Sequence, residues 1–255
     1  MIPEPATTED AVLGGRLVLR QPQRGHRVGH DAILLAAATD AQPDELAVDL
    51  GAGVGAAGLA LAARVPKLAV VLVEVDAELA RLADENIQIN ALGEQVRAVV
   101  LDVGARPSAF AAAGLQAGAA TRVLMNPPFN DAWGNPSPDG ARRLAHAASA
   151  DTLAIWLRCA FRLLCRRGVL TLLWRADGLG RVLSGLADGF GAATVLPIYP
   201  RPDRPAIRVL VRAVKESRAP LCLLPGLVLC DPAGQSTPAA TAILRGTATL
   251  SLAPS

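Results

Sequence analysis

Lysine is nearly absent from this chain of 255 residues: Lys67 and Lys215 are the only two, and the remaining basic charge is arginine. Any phosphate contact would therefore be made by guanidinium groups, whose planar fork differs from an ammonium point charge. The net charge of +2 is too small to demand a nucleic-acid partner, although arginines could still gather on one face. Histidine is also scarce, and His26, His30 and His146 form no H-x₃-H element. Cys159, Cys165, Cys222 and Cys230 lack paired C-x-x-C spacing, so neither a metal site nor a disulfide is expected. Long apolar runs are missing too. The stretch LCLLPGLVLC, 221–230, is short and interrupted by Pro225 and Gly226, and the opening MIPEPATTED is acidic without an apolar segment. The expectation is a soluble, cytoplasmic protein with no membrane span, a monomer or weak dimer.

What the chain does have is a 51% hydrophobic composition and a repeated β-then-α pattern from Leu46 onward. That pattern predicts one main α/β domain. We expect an N-terminal extension over 1–45, with short strands and a helix covering the ligand site, a core over 46–219, and a C-terminal appendage over 220–255. Residues 1–12 read as a loose leader, Leu13 to Arg20 as a strand entered through two glycines, and Asp31 as the N-cap of a helix from Ala32 to Ala38. Later helices are expected from Asp151 to Arg167 and from Leu179 to Phe190.

The run LAVDLGAGVGAAGLALAAR joins a strand ending at Asp49 to a glycine turn and a helix. Gly51, Gly53 and Gly55 would let backbone approach a ligand, and the helix start supplies free N–H groups. Glu74 closes the next strand about twenty residues on, the separation at which a carboxylate meets a ribose bound across such a turn. Asp76 competes for that role but is better read as the cap of the following helix. Asp102 ends the third strand. It could accept an N–H from adenine, or cap the residues after it.

After a fourth strand come Asn126, Pro127, Pro128 and Phe129. An exocyclic amine on a heteroaromatic ring is a poor nucleophile because its lone pair is delocalised. A side-chain amide oxygen at Asn126 and the carbonyl of Pro127 can each accept one N–H and favour the sp³-like nitrogen, while Phe129 can stack on the base. The plainer reading is a polar turn after a strand. The Pro- and Gly-rich segment 131–143 reads as a loop beside the site. Arg142, Arg143, Arg201, Arg204, Arg208 and Arg212 are candidate phosphate contacts, or an ordinary solvated surface. Gly53, Gly55 and Gly58 also satisfy the dinucleotide fingerprint, so a nicotinamide enzyme stays open as an alternative, though it leaves Asn126 to Phe129 without a job.

With these residues in view the chain resembles the class I S-adenosylmethionine-dependent methyltransferases that carry an NPP[FY] motif, and more narrowly the tRNA (adenine-N6)-methyltransferases. The likeness rests on RVGHDAILLAAA, DLGAGVG, VEVDAELARLADEN, NPPF, RVLVRAVK and TPAATAILRG. It departs from the usual pattern at His30, where that family usually has threonine. The resemblance implies a Rossmann-like α/β fold: a seven-stranded, mostly parallel sheet with its last strand inserted antiparallel and helices on both faces. It implies S-adenosylmethionine as cofactor, Asp49, Gly51, Gly53 and Gly55 at its methionine part, Glu74 at its ribose and Asp102 at its adenine. Asn126, Pro127 and Phe129 would receive the target base, and the partner would be RNA, with tRNA first. Guanine N2 in ribosomal RNA and protein glutamine are alternatives of the same chemistry. A non-catalytic RNA-binding protein is an alternative of another class.

Overall fold

The computed structural model describes residues 6–24, 28–128 and 150–253. Its centre is a nine-stranded sheet. The strands facing the site are β3 (Leu46–Leu50), β4 (Ala69–Glu74), β5 (Val96–Val100) and β6 (Ala120–Met125), followed by β7 (Leu164–Arg175), β8 (Phe190–Tyr199) and β9 (Arg208–Lys215). Their order across the sheet is β8-β9-β7-β6-β3-β4-β5, and β9 runs antiparallel to both neighbours while the others are parallel. These seven form the expected sheet with its inserted last strand. Two further strands of two residues each, β10 (Cys222–Leu223) and β11 (Leu227–Val228), extend it along β8.

Alternation along the parallel strands splits the apolar residues between two cores. One face packs Val70, Leu72, Leu124 and Leu210 against α1 (His30–Ala38), α2 (Ala56–Arg64), α3 (Ala77–Ile89) and the C-terminal α7 (Pro238–Leu244). The other packs Val48, Val71, Val73 and Val123 against α4 (Pro107–Ala112), α5 (Ala150–Leu163) and α6 (Leu179–Leu186). Among the described residues no helix is long and apolar enough to cross a membrane.

Several local expectations change. Residues 7–12 are not a loose leader: Thr7–Val12 is strand β1, paired antiparallel with β2 (Leu17–Pro22) from Thr7 opposite Pro22 to Val12 opposite Leu17. TTEDAV has no apolar alternation because its inward neighbours are supplied by β2, whose Leu17, Leu19 and Gln21 are the buried side chains. The two glycines make the turn rather than entering a strand, with Gly14 at φ 66° and Gly15 at φ 87°. Helix α5 stops at Leu163, four residues early, and β7 begins at once, since Leu170 and Leu172 are needed opposite Val123 and Met125. Helix α6 likewise ends at Leu186, and Phe190 opens β8.

Candidate active site

Strand register brings the expected residues to one rim. Leu50 pairs with Val73 on one side and Met125 on the other, so the turn after β3 lies between Glu74, the last residue of β4, and Asn126, the first after β6. Glu74 itself pairs with Val100, which places Asp102 two residues beyond on the same rim. This is the carboxyl edge of a parallel sheet, where such folds bind ligands.

The turn is pinned to the end of β4. The amides of Gly51 and Ala52 donate to the Val73 carbonyl at 2.8 and 3.0 Å. Gly53 N–H donates to Glu74 Oε2 at 2.8 Å, and Glu74 Oε1 accepts from the amides of Val75 and Asp76 at 2.8 and 2.9 Å. Gly53 holds φ 56°, and a Cβ added there would meet nothing within 4 Å, so its backbone is bare on the ligand side. Asp49 is 3% exposed, and its Oδ2 accepts from Gly58 N–H in the first turn of α2 at 2.9 Å. Burial pushes the Asp49 carboxyl up to about 7; the Gly58 bond lowers it and the nearby Glu74 raises it. The third glycine of the fingerprint has a packing reason, since a Cβ at Gly58 would lie 2.3 Å from Leu72 Cδ2.

At the next strand, Asn126 Oδ1 is buried and has no hydrogen-bond partner among the described residues. Pro127 is buried beside it and Pro128 is exposed. Phe129, the loop 131–143, Arg142 and Arg143 lie outside the described residues. Asp102 is exposed and its Oδ1 accepts from Gly104 N–H at 2.7 Å in a local turn, while the next helix, α4, has Arg106 at its N-cap.

One contact at the turn has no counterpart in the sequence pattern. Trp156 of α5 lies so close to Gly51, which has φ 67°, that a Cβ there would stand 2.2 Å from Trp156 Cη2. Helical periodicity marks Trp156 as an apolar position, but only the packing of α5 on the sheet at β6 and β7 brings the ring to the turn, and no local pattern announces that.

Asp76 caps α3 as expected, accepting from the amides of Glu78 and Leu79 at 2.8 and 3.2 Å. Asp31 does not cap α1. Gly29 holds the N-cap position, while Asp31 lies inside the first turn and takes an ion pair from Arg208 at 3.0 Å. His30 is the exposed first residue of that helix. The described arginines do not gather in one place. Arg201 and Arg204 are exposed near the Asp31–Arg208 pair, whereas Arg212 pairs mid-sheet with Thr171 and Thr194 and shares its surroundings with Arg122, Arg167 and Asp40. Arg212 therefore cannot join a rim patch with the other three. All four cysteines are free, and burial pushes the Cys159 thiol up to about 11, the behaviour of a core group. Among the described residues no group of three or more His, Cys, Asp or Glu side chains could hold a metal ion.

Residues 26–151, from the segment before α1 through β6 and the Asn126 turn, match the methyltransferase small domain. A crystal structure from Agrobacterium tumefaciens, described as a predicted O-methyltransferase, is 30% identical, with TM-score 0.74 over 87% of this chain and 98% of that one. The chain belongs to the methyltransferase small domain family. S-adenosylmethionine is accordingly its cofactor. Within the family, the chain is 27% identical over 203 residues to the tRNA1(Val) (adenine(37)-N6)-methyltransferase of Dyadobacter fermentans, covering 77% of this chain and 79% of that protein. The 16S rRNA N2 G1207 methyltransferase of T. thermophilus, solved with AdoMet and guanosine, shares the fold at 23% identity and TM-score 0.54, over 84% of this chain and 46% of that one.

Proposed function

We propose that this methyltransferase modifies the exocyclic amine of a nucleobase in RNA, with adenine N6 in tRNA as the first candidate. The observation that carries the reading is the buried Oδ1 of Asn126, unpartnered among the described residues, on the rim beside the glycine turn. A buried acceptor left unmade costs about 1 to 3 kcal/mol, so its retention is accounted for by a donor that arrives with the substrate. An aromatic amine supplies that donor. The tRNA adenine-N6 relative supports the same base.

The bare backbone at Gly53, the buried carboxyl of Asp49 and the carboxylate of Glu74 suit a ligand with an ammonium group and a ribose. In this reading Gly51, Gly53 and Gly55 admit the donor, Asp49 faces its ammonium, Glu74 its ribose hydroxyls and Asp102 its adenine. When bound, S-adenosylmethionine supplies a methyl group activated by a sulfonium. The chain's own residues do the rest by orientation. Asn126 Oδ1 accepts one N–H of the amine, the Pro127 carbonyl accepts the other, and Phe129 stacks on the base, so the nitrogen lone pair points along the line of transfer. No general base need act before attack, because the proton can leave the cationic product to water. Holding two reactants in this relation is worth about 7 to 11 kcal/mol.

Arg201 and Arg204, exposed on the same side of the sheet, suit RNA phosphates. The division of the chain into an extension, a core and an appendage is likewise proposed, as is action as a monomer or weak dimer in the cytoplasm. The test is to incubate the protein with labelled S-adenosylmethionine and, separately, unmodified tRNA, ribosomal RNA and protein extract, then identify the methylated unit by mass. N6-methyladenosine from tRNA is expected. N2-methylguanosine from ribosomal RNA or methylglutamine from protein would replace the substrate and keep the role of Asn126.

A further inference from the structure

Two asparagines, Asn86 within α3 and Asn90 at its C-cap, act as the missing neighbour of a strand. Asn90 Oδ1 accepts from Val18 N–H at 2.9 Å, and its Nδ2 donates to the Val18 carbonyl at 2.8 Å. Asn86 does the same one turn earlier: its Oδ1 accepts from Arg20 N–H at 2.7 Å and its Nδ2 donates to the Arg20 carbonyl at 2.9 Å. The match is geometric. Four residues along a helix advance about 6 Å and two residues along a strand about 7 Å, so side chains at i and i+4 meet alternate residues of one strand edge. Strand β2 has β1 on one edge, and the asparagines satisfy the other, which would otherwise be an open ladder.

Asn86 does one thing that Asn90 does not. Its Nδ2 also donates to the carbonyl of Val54 at 3.0 Å, and Val54 lies between Gly53 and Gly55 in the turn. Asn86 is 0% exposed, so all three bonds are made away from water and none can be exchanged for a solvent bond. A single carboxamide thus ties the backbone of the N-terminal hairpin to the backbone of the glycine turn.

We propose that Asn86 is a positioning residue for donor binding, fixing the Val54 carbonyl and through it the turn, and that it makes the β1–β2 hairpin part of the donor site's framework. The proposal rests on the reading that the turn receives S-adenosylmethionine. Donor binding, by stiffening the turn, should tighten the hairpin at Arg20, and loss of the Asn86 amide should loosen the turn.

The experiment compares Asn86→Ala with Asn90→Ala in the full chain, measuring S-adenosylmethionine affinity by calorimetry at a temperature where both are folded. Both variants release the hairpin, but only the first releases Val54. Asn86→Ala should weaken binding by about tenfold, as loss of one buried hydrogen bond implies, and Asn90→Ala by less than about twofold. Equal effects, or none at Asn86, would overturn the proposal. Should Asn86→Ala fail to fold, amide hydrogen exchange on the unaltered protein decides. Added donor should slow the Arg20 amide more than the Ala240 amide at the start of α7, which reports general stabilisation, and equal slowing would overturn the linkage. Gly53→Ala, strained at its positive φ, separates the two levels. If it leaves donor affinity unchanged, the turn is not the donor site and both readings fail; if it weakens binding while Asn86→Ala does not, only the linkage fails.

Discussion

Asp49 Oδ2 lies 2.9 Å from the amide nitrogen of Gly58, so a strand carboxyl caps the helix that leaves the glycine turn. Burial raises this carboxyl from 3.8 to about 7, and the sign of its effect on stability follows. The folded protein holds a proton that the unfolded chain releases, so the stabilisation is full below pH 3.8 and is lost as pH rises through about 7. Asp49→Asn should therefore be more stable than the parent at pH 8, by on the order of 4 kcal/mol at most, with the difference closing toward pH 4. Denaturant melts at the two pH values check this; a parent whose stability is flat between them would contradict the burial argument.

Donor affinity should move the other way with pH. An ammonium group favours the ionised carboxylate, so below about pH 7 binding must first remove a proton from Asp49. Calorimetry should show affinity falling by up to about tenfold per pH unit below that point, and Asp49→Asn should bind more weakly with no such slope.

Gly51→Ala combines two penalties. The residue sits at φ 67°, and its new Cβ would stand 2.2 Å from Trp156 Cη2. The left-handed backbone costs about 1 to 2 kcal/mol and the overlap about 1 to 3 more. Trimming the ring with Trp156→Leu should recover part of the overlap but none of the backbone strain, and a double-mutant cycle measures the split. Additive losses would mean that the two residues do not press on each other.

Much of this site is legible from the chain because its residues sit at the ends of strands. Asp49, Glu74 and Asn126 each follow or close an apolar run, and parallel pairing then brings those ends together without further information. Asp76 was readable as a cap because the carboxylate acts on its own helix. The same rule misplaces the cap of α1: it belongs to Gly29, and the Asp31 partner, Arg208, is 177 residues away. Trp156 and Asn86 were unreadable for a related reason. Their roles depend on how α5 and α3 lie across the sheet, and a helical pattern specifies a face without specifying what that face meets. Strand β1 was missed because its order comes from its neighbour's backbone rather than from its own side chains.

Asp76→Ala offers a control away from the donor. Removing the two capping bonds to Glu78 and Leu79 should cost about 1 kcal/mol of stability. Thermal melting should show the loss while S-adenosylmethionine affinity stays within about twofold, a change below 0.5 kcal/mol. A larger loss of affinity would mean that Asp76, and not Glu74 alone, faces the ligand.

Asn126 Oδ1, buried and without a hydrogen-bond partner among the described residues, is the acceptor proposed for the substrate amine. The direct measurement is methyl transfer to tRNA by Asn126→Ala under saturating S-adenosylmethionine, with donor affinity measured on the same preparation. Turnover should fall by at least about a hundredfold while donor affinity changes by less than about threefold, since the lost bond orients the amine and touches nothing of the donor. Near-normal turnover in Asn126→Ala, with the donor bound, would contradict the proposed role of Asn126.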